Sequence, residues 1–350
     1  MVFKFFKIEN FRAFSNLELN DLRQINLIVG NNGVGKTSLL EAMFLLLGRK
    51  NPQCSVKIQN FRNMFLYEDI DFKFLYNSFK FNKNIFLSAK REDNTNIDLT
   101  IEPIFGYKTI NKHSNVLPNL MEQNIEQKKI DLEYQNNDIL GIKYFFKDTN
   151  NINFNLEISI QNPNKIFSYK PEFPGYFFKN TNPIETFGVV SEMNKEKDII
   201  SVLQVIDPTI ENLKIGKNNM IFCSVKGIKD AVPINLMGDG IIKIISVLSA
   251  ILTLKGGALF VDEIENGLSY TSQKLLWKAI FTICKDFDVQ IFLTTHSEEC
   301  VRYFIEVSRE NSYNDMISLI RLSKEKNQHF TTGYVDEMLD VVYEDKIEVR

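Results

Sequence analysis

The stretch IVGNNGVGKTSLLEAM, residues 28–43, decides the reading of this chain. It runs from an apolar strand end through a glycine-rich turn and a lysine into a helix. Gly30, Gly35, Lys36 and Thr37 satisfy the spacing G-x-x-x-x-G-K-[ST]. Glycines at these places let the backbone N–H groups from Gly30 through Asn31, Asn32, Gly33, Val34 and Gly35 converge on a phosphate without side-chain obstruction. Lys36 brings a point charge, Thr37 offers its hydroxyl to Mg2+, and Ser38 continues into the helix, whose positive dipole end faces the anion.

Such a turn needs a strand before it and a helix after it, and the flanks supply both. INLIV (25–29) is a short apolar run. The spacing over 36–47 predicts a helix with Leu39, Leu40, Met43, Phe44 and Leu47 on one face and Gly48 as its stop. Further out, residues 2–9 and 17–19 read as strands around NFRAF. The organised signal returns at 236, with a glycine turn (Gly238, Gly240), an apolar helix (241–254) and a buried strand (258–261). A helix at 271–285 and a strand at 289–293 follow. Strands alternating with helices predict a parallel α/β sheet.

The strand GGALFVDEIENGL (256–268) ends in two adjacent carboxylates. Asp262 sits where it can hold Mg2+ through water, and Glu263 where it can polarise a water attacking the terminal phosphate. One helix and one strand further on comes His296, after QIFLTT. A neutral imidazole there can hydrogen-bond a phosphate or the attacking water. His113 and His329 lie in polar stretches and are expected to be solvated.

Composition narrows the class. At 350 residues with 44% hydrophobic residues and 29 Phe, the chain can bury a large core. A formal charge of −3 and an isoelectric point near 5.8 give no global basic field, so any nucleic-acid contact would be local. The four cysteines (Cys54, Cys223, Cys284, Cys300) form no C-x-x-C pair, which argues against a zinc site or disulfide framework and fits a reducing, cytoplasmic setting. The N-terminus lacks a signal-peptide pattern. The most apolar window, Ile241–Val261, carries Lys243, Lys255 and a Gly256–Gly257 break, so it reads as buried rather than membrane-spanning.

The chain thus divides into an N-terminal nucleotide part (1–50), an inserted mixed α+β lobe (51–235) and a C-terminal nucleotide part (236–350). In the lobe, strand-like runs occur at 85–89 and 97–101 and in the alternation from Ile152 to Ile160, with a helix expected at 186–206 and loose Asn-rich loops at 111–138.

Taken together, KIENFRAFSNLELNDLRQINLIVGNNGVGKTSLLEAMFLLL, LMGDGIIKIISVLSAI, FVDEIENGLSY and IFLTTHSEE resemble an ABC-type ATPase head of the RecF/SMC class. More closely, they resemble the AAA15/AAA21-type bacterial ATPases related to the ATPase domain of OLD nucleases. The resemblance implies an α/β P-loop head that binds and hydrolyses ATP with Mg2+. It implies a Walker A loop at Gly30–Ser38, a Walker B pair at Asp262 and Glu263, a D-loop at Asn266 and Gly267, and a switch histidine at His296. Arg12 matches an arginine that contacts nucleotide phosphate in SMC-like heads. Gly238, Asp239 and Gly240 match the signature motif that completes the partner's site in an ATP-sandwiched dimer. Here the chain departs from the family: Met237-Gly238-Asp239-Gly240 stands where Ser-Gly-Gly is usual, so the serine hydroxyl is missing. No glutamine can be assigned to the Q-loop from Gln53 or Gln59.

The lobe carries no long heptad region, and the residues after 300 carry no TOPRIM-like acidic constellation. The role the resemblance implies is that of a regulatory ATPase similar to those in bacterial antiphage systems. It would act as a homodimer or higher oligomer and signal to a separately encoded nuclease or toxin. The alternative is a RecF-like head acting on DNA through scattered basic residues (Lys4, Lys7, Lys83, Lys90, Arg91). A membrane-transport role is not favoured.

Overall fold

The computed structural model describes residues 3–62, 71–106, 138–147, 153–159, 175–178, 183–216, 220–254, 256–310 and 313–344. In chain order the strands are β1 (Phe3–Phe11), β2 (Phe14–Leu19), β3 (Ile25–Val29), β4 (Ile85–Arg91), β5 (Asn96–Gly106), β6 (Asp138–Lys147), β7 (Asn153–Ser159) and β8 (Gly175–Phe178). They continue with β9 (Ile210–Ile215), β10 (Ile221–Val225), β11 (Val232–Pro233), β12 (Ala258–Val261), β13 (Gln290–Thr294), β14 (Ile317–Glu325) and β15 (Gln328–Tyr334). The helices are α1 (Lys36–Leu47), α2 (Gln53–Asn60), α3 (Ile184–Glu192), α4 (Glu196–Ile206), α5 (Asp239–Thr253), α6 (Tyr270–Phe287), α7 (Glu298–Glu310) and α8 (Glu337–Glu344).

Two six-stranded sheets dominate. One has the order β15-β14-β3-β13-β12-β8, parallel throughout except for the edge hairpin partner β15. The other is antiparallel, in the order β2-β1-β4-β5-β6-β7, and β9–β11 form a small third sheet. The expected parallel α/β sheet is therefore present, with β3 from one end of the sequence and β12–β15 from the other. The 51–235 segment supplies α+β elements to both sheets: β4–β7 extend the β1–β2 hairpin, and β8 edges the parallel sheet.

Period-two alternation sends the parallel strands into two cores. Ile25, Leu27, Leu259, Val261, Ile291 and Leu293 face a core built with the helices, including Trp277, Phe281 and Phe304. Ile28, Phe260 and Phe292 face a second core shared with the antiparallel sheet. Helix α1 lies in this second core. Its leucines Leu45 and Leu46 are buried along with the predicted stripe, so it is covered nearly all round rather than on one face.

The helix expected over 186–206 is two helices. Asn194 adopts a left-handed backbone (φ 54°) that no helix interior accommodates. One other expectation changes. His329 is buried, not solvated: β15 sets it edge-on to Phe14, ring centroids 5.0 Å apart, and burial lowers its pKa. His113 and the loops from 111 to 137 lie outside the described residues. Among the described residues no helix is long and apolar enough to cross a membrane.

Candidate active site

The parallel strands end together at one edge, and three of them deliver the site. β3 runs into the glycine turn, β12 into Asp262, and β13 into Thr294, Thr295 and His296. Gly30 has φ 146°, and a Cβ there would collide with the Leu322 carbonyl oxygen of β14. Gly35 has φ 108°, caps α1, and would push a Cβ to 2.9 Å from the Phe14 ring. Both positions therefore need glycine for two reasons, backbone conformation and close approach.

Lys36 is 5% exposed and folds back over the turn. Its Nζ donates to the Gly30 carbonyl (2.6 Å), the Asn31 carbonyl (3.1 Å) and His296 Nδ1 (3.2 Å). Burial lowers its pKa, while Asp262, Glu265 and Glu263 act in the opposite sense. An ammonium has only donors, so His296 Nδ1 accepts and the ring proton sits on Nε2. That nitrogen lies 3.5 Å from Glu263 Oε1.

The two neighbouring carboxylates are held differently. Asp262 accepts from the Thr37 hydroxyl at Oδ2 (2.8 Å) and from the Thr294 hydroxyl at Oδ1 (2.7 Å). Thr294 in turn accepts from the Glu263 amide (2.8 Å). The Glu263 carboxylate is half-exposed and accepts from Asn266 Nδ2 (2.6 Å). Its backbone is left-handed (φ 52°), and its carbonyl accepts from Lys243 Nζ (3.2 Å). Glu265 takes the His296 amide (2.7 Å) and so anchors the histidine's loop. Lys36, Thr37, Asp262, Glu263 and His296 therefore form one connected cluster around the turn.

Other expected residues lie elsewhere. Arg12 is buried against α1, with Nη1 2.8 Å from Glu41 Oε2. Gly238, Asp239 and Gly240 open α5, where Gly240 packs on the Gly267 carbonyl and Leu268. Gln59 is buried and donates to Ser55 within its own helix.

Sequence reading missed Glu41 and Arg62. Glu41 is fully buried and takes Arg62 through two bonds (Nε to Oε1 2.8 Å, Nη2 to Oε2 2.9 Å) besides Arg12. Arg62 Nη2 also donates to Ser38 (3.2 Å), which brings a guanidinium to the back of the turn. The signal for Glu41 was there: a carboxylate in the apolar run LLEAMFLLL needs a buried cation. Arg62 carries no motif. Among the described residues no group of three or more His, Cys, Asp or Glu side chains is arranged to hold a metal. Thr37 and Asp262 offer two hard oxygens at one point, the sparse protein share that Mg2+ usually takes.

Residues 1–301 match the AAA_15 family model, an AAA ATPase domain. The chain is 24% identical over 369 aligned positions to an ATP/GTP phosphatase of Helicobacter pylori, covering 97% of both chains. A shorter match, 38% identical over 55 residues, links 16% of this chain to 15% of the DNA replication and repair protein RecF of Clostridium kluyveri. In fold, the chain is similar to the Smc head domain solved with the C-terminal domain of ScpA from Pyrococcus furiosus (TM-score 0.51, 10% identity, 99% of this chain and 100% of that one). It is likewise similar to an SmcHead bound to the C-winged helix domain of ScpA (TM-score 0.51, 11% identity, 96% and 98%). With the family match running through both cores and the strand ends that build the cluster, the chain belongs to the AAA_15 family of AAA ATPase domains.

Proposed function

We propose that the chain binds ATP at the Gly30–Ser38 turn and hydrolyses it with Mg2+. The observation that carries this reading is the connected path from Lys36 through His296 to Glu263, alongside the Thr37–Asp262 pair. In this reading Lys36 exchanges its bonds to the Gly30 and Asn31 carbonyls for phosphate oxygens. Glu263 accepts the proton of the attacking water, and His296, with its proton on Nε2, orients the Glu263 carboxylate or the water. Thr37 and Asp262 would hold Mg2+, which neutralises charge on the phosphate oxygens when bound. The Arg62 guanidinium, bonded to the Ser38 hydroxyl, adds positive potential behind the phosphates, with Arg12 sharing its Glu41 partner. The decisive measurement is ATP binding and turnover of Lys36→Ala: loss of both is expected, and unchanged turnover would overturn the assignment.

The biological role proposed is regulatory. The chain would act in the cytoplasm as a homodimer or higher oligomer, signal to a separate protein effector, and serve an antiphage function. The solved Smc heads with bound ScpA domains lend support to a protein partner. Gly238, Asp239 and Gly240 would face the partner's nucleotide through backbone N–H groups, since no serine stands there. The alternative, direct action on DNA, is weakened by local charge. Lys4 pairs with Glu92, Lys7 with Glu9 and Glu18, and Arg91 with Asp93.

A further inference from the structure

Glu263 has a left-handed backbone (φ 52°), an uncommon conformation for a non-glycine residue and one that persists only when its surroundings impose it. Four hydrogen bonds meet at this residue. Thr294 takes its amide, the Asn266 side chain holds its carboxylate, and its carbonyl accepts from the Asn266 amide (3.1 Å) and from Lys243 Nζ (3.2 Å). The first three come from the site's own strand and loop. Lys243 comes from α5, one turn in from the Gly238-Asp239-Gly240 turn. The same two elements touch a second time, where Gly240 sits so close to the Gly267 carbonyl that a Cβ would stand 3.0 Å from it. Lys243 is half-buried; burial lowers its pKa, and the carboxylates of Glu265, Asp262 and Glu263 counter that only in part. Lys243 is the one charged residue of this helix beyond its opening Asp239, and a half-buried ammonium is an expensive choice unless it has a task at its tip.

We propose that Lys243 is a positioning residue for hydrolysis: from the signature helix it holds the Glu263 carbonyl and so fixes the backbone turn that aims the Glu263 carboxylate at His296. The inference rests on the ATPase reading above. The bond of Lys243 is to the backbone of the Glu263 turn, not to the carbonyls that hold Lys36, so its loss should leave nucleotide affinity alone and slow the chemical step. Arginine can restore the donor to the carbonyl, whereas methionine keeps the stem and removes it.

The test compares wild type, Lys243→Met and Lys243→Arg in full-length protein. Binding is measured with a fluorescent ATP analogue, turnover as kcat and KM, and the 263–268 loop by amide hydrogen exchange. Lys243→Met should bind within about 3-fold of wild type, lose at least about 10-fold in kcat with little change in KM, and exchange faster in the 263–268 loop. Lys243→Arg should recover most of the kcat. Combined with Glu263→Gln, the Lys243→Met change should add no further loss. A Lys243→Met protein with wild-type kcat and unchanged loop exchange overturns the proposal, as does a loss that Lys243→Arg shares in full. A wild-type protein that turns over no ATP would sink the ATPase reading instead, and loop exchange would still judge the strut.

Discussion

Glu41→Gln should destabilise the whole protein, because it removes the one anion buried between two guanidiniums. Glu41 has no solvent exposure, the Arg12 side chain has 8% and the Arg62 side chain 33%. Glutamine keeps the shape of glutamate, so the change is one of charge. Removing one partner from a buried ion pair costs about 3–5 kcal/mol, chiefly because the other charge stays buried and unpaired. Arg62 can turn to water and Arg12 cannot, which points to the lower end, about 3 kcal/mol. An unfolding entropy of about 2.1 cal/mol/K per residue gives roughly 0.7 kcal/mol/K for 350 residues, so Tm should fall by about 4 °C. The assay is thermal unfolding of wild type, Glu41→Gln, and Glu41→Gln combined with Arg12→Met. The double variant has no stranded buried charge and should recover more than half of the loss. A Glu41→Gln protein within about 1 °C of wild type, or a double variant that is less stable still, would refute the buried-charge argument.

Glu263→Gln should keep ATP binding and slow hydrolysis by at least ~100-fold, the scale of a lost general base, and light scattering with saturating ATP and Mg2+ should show a trapped dimer. Asp262→Ala should raise the Mg2+ concentration for half-maximal turnover by about 10-fold or more, since it removes one of the two oxygens at Thr37; a titration of activity against Mg2+ checks this. DNA binding with ATP present should be weak at both low and moderate salt. Tight binding that falls steeply with salt, and is lost when Lys83, Lys90 and Arg91 are neutralised, would favour the DNA-acting head.

Much of the site could be read along the chain because its chemistry is local. A phosphate turn is a contiguous run of backbone, so Gly30 to Ser38 declares itself. The Asp262–Glu263 pair and His296 stand at strand ends, and strands show as apolar runs. The 36–47 helix and the 258–261 strand came out with their observed bounds for the same reason. Other features depend on neighbours far off in sequence. That Arg12 turns to Glu41, that Arg62 reaches Ser38, and that Lys243 meets the Glu263 carbonyl are outcomes of packing between separate elements. His329 looked polar by its flanks and became buried only when β15 closed on Phe14. The break at Asn194 was hidden because a single left-handed residue leaves the apolar periodicity on either side intact. Sequence by itself determined the phosphate turn, the carboxylate pair and the strand–helix alternation, since each rests on backbone conformation and spacing within a few residues. The buried charges and the hold on Glu263 were decided only in three dimensions, where desolvation forces every buried ion to find a partner across the fold.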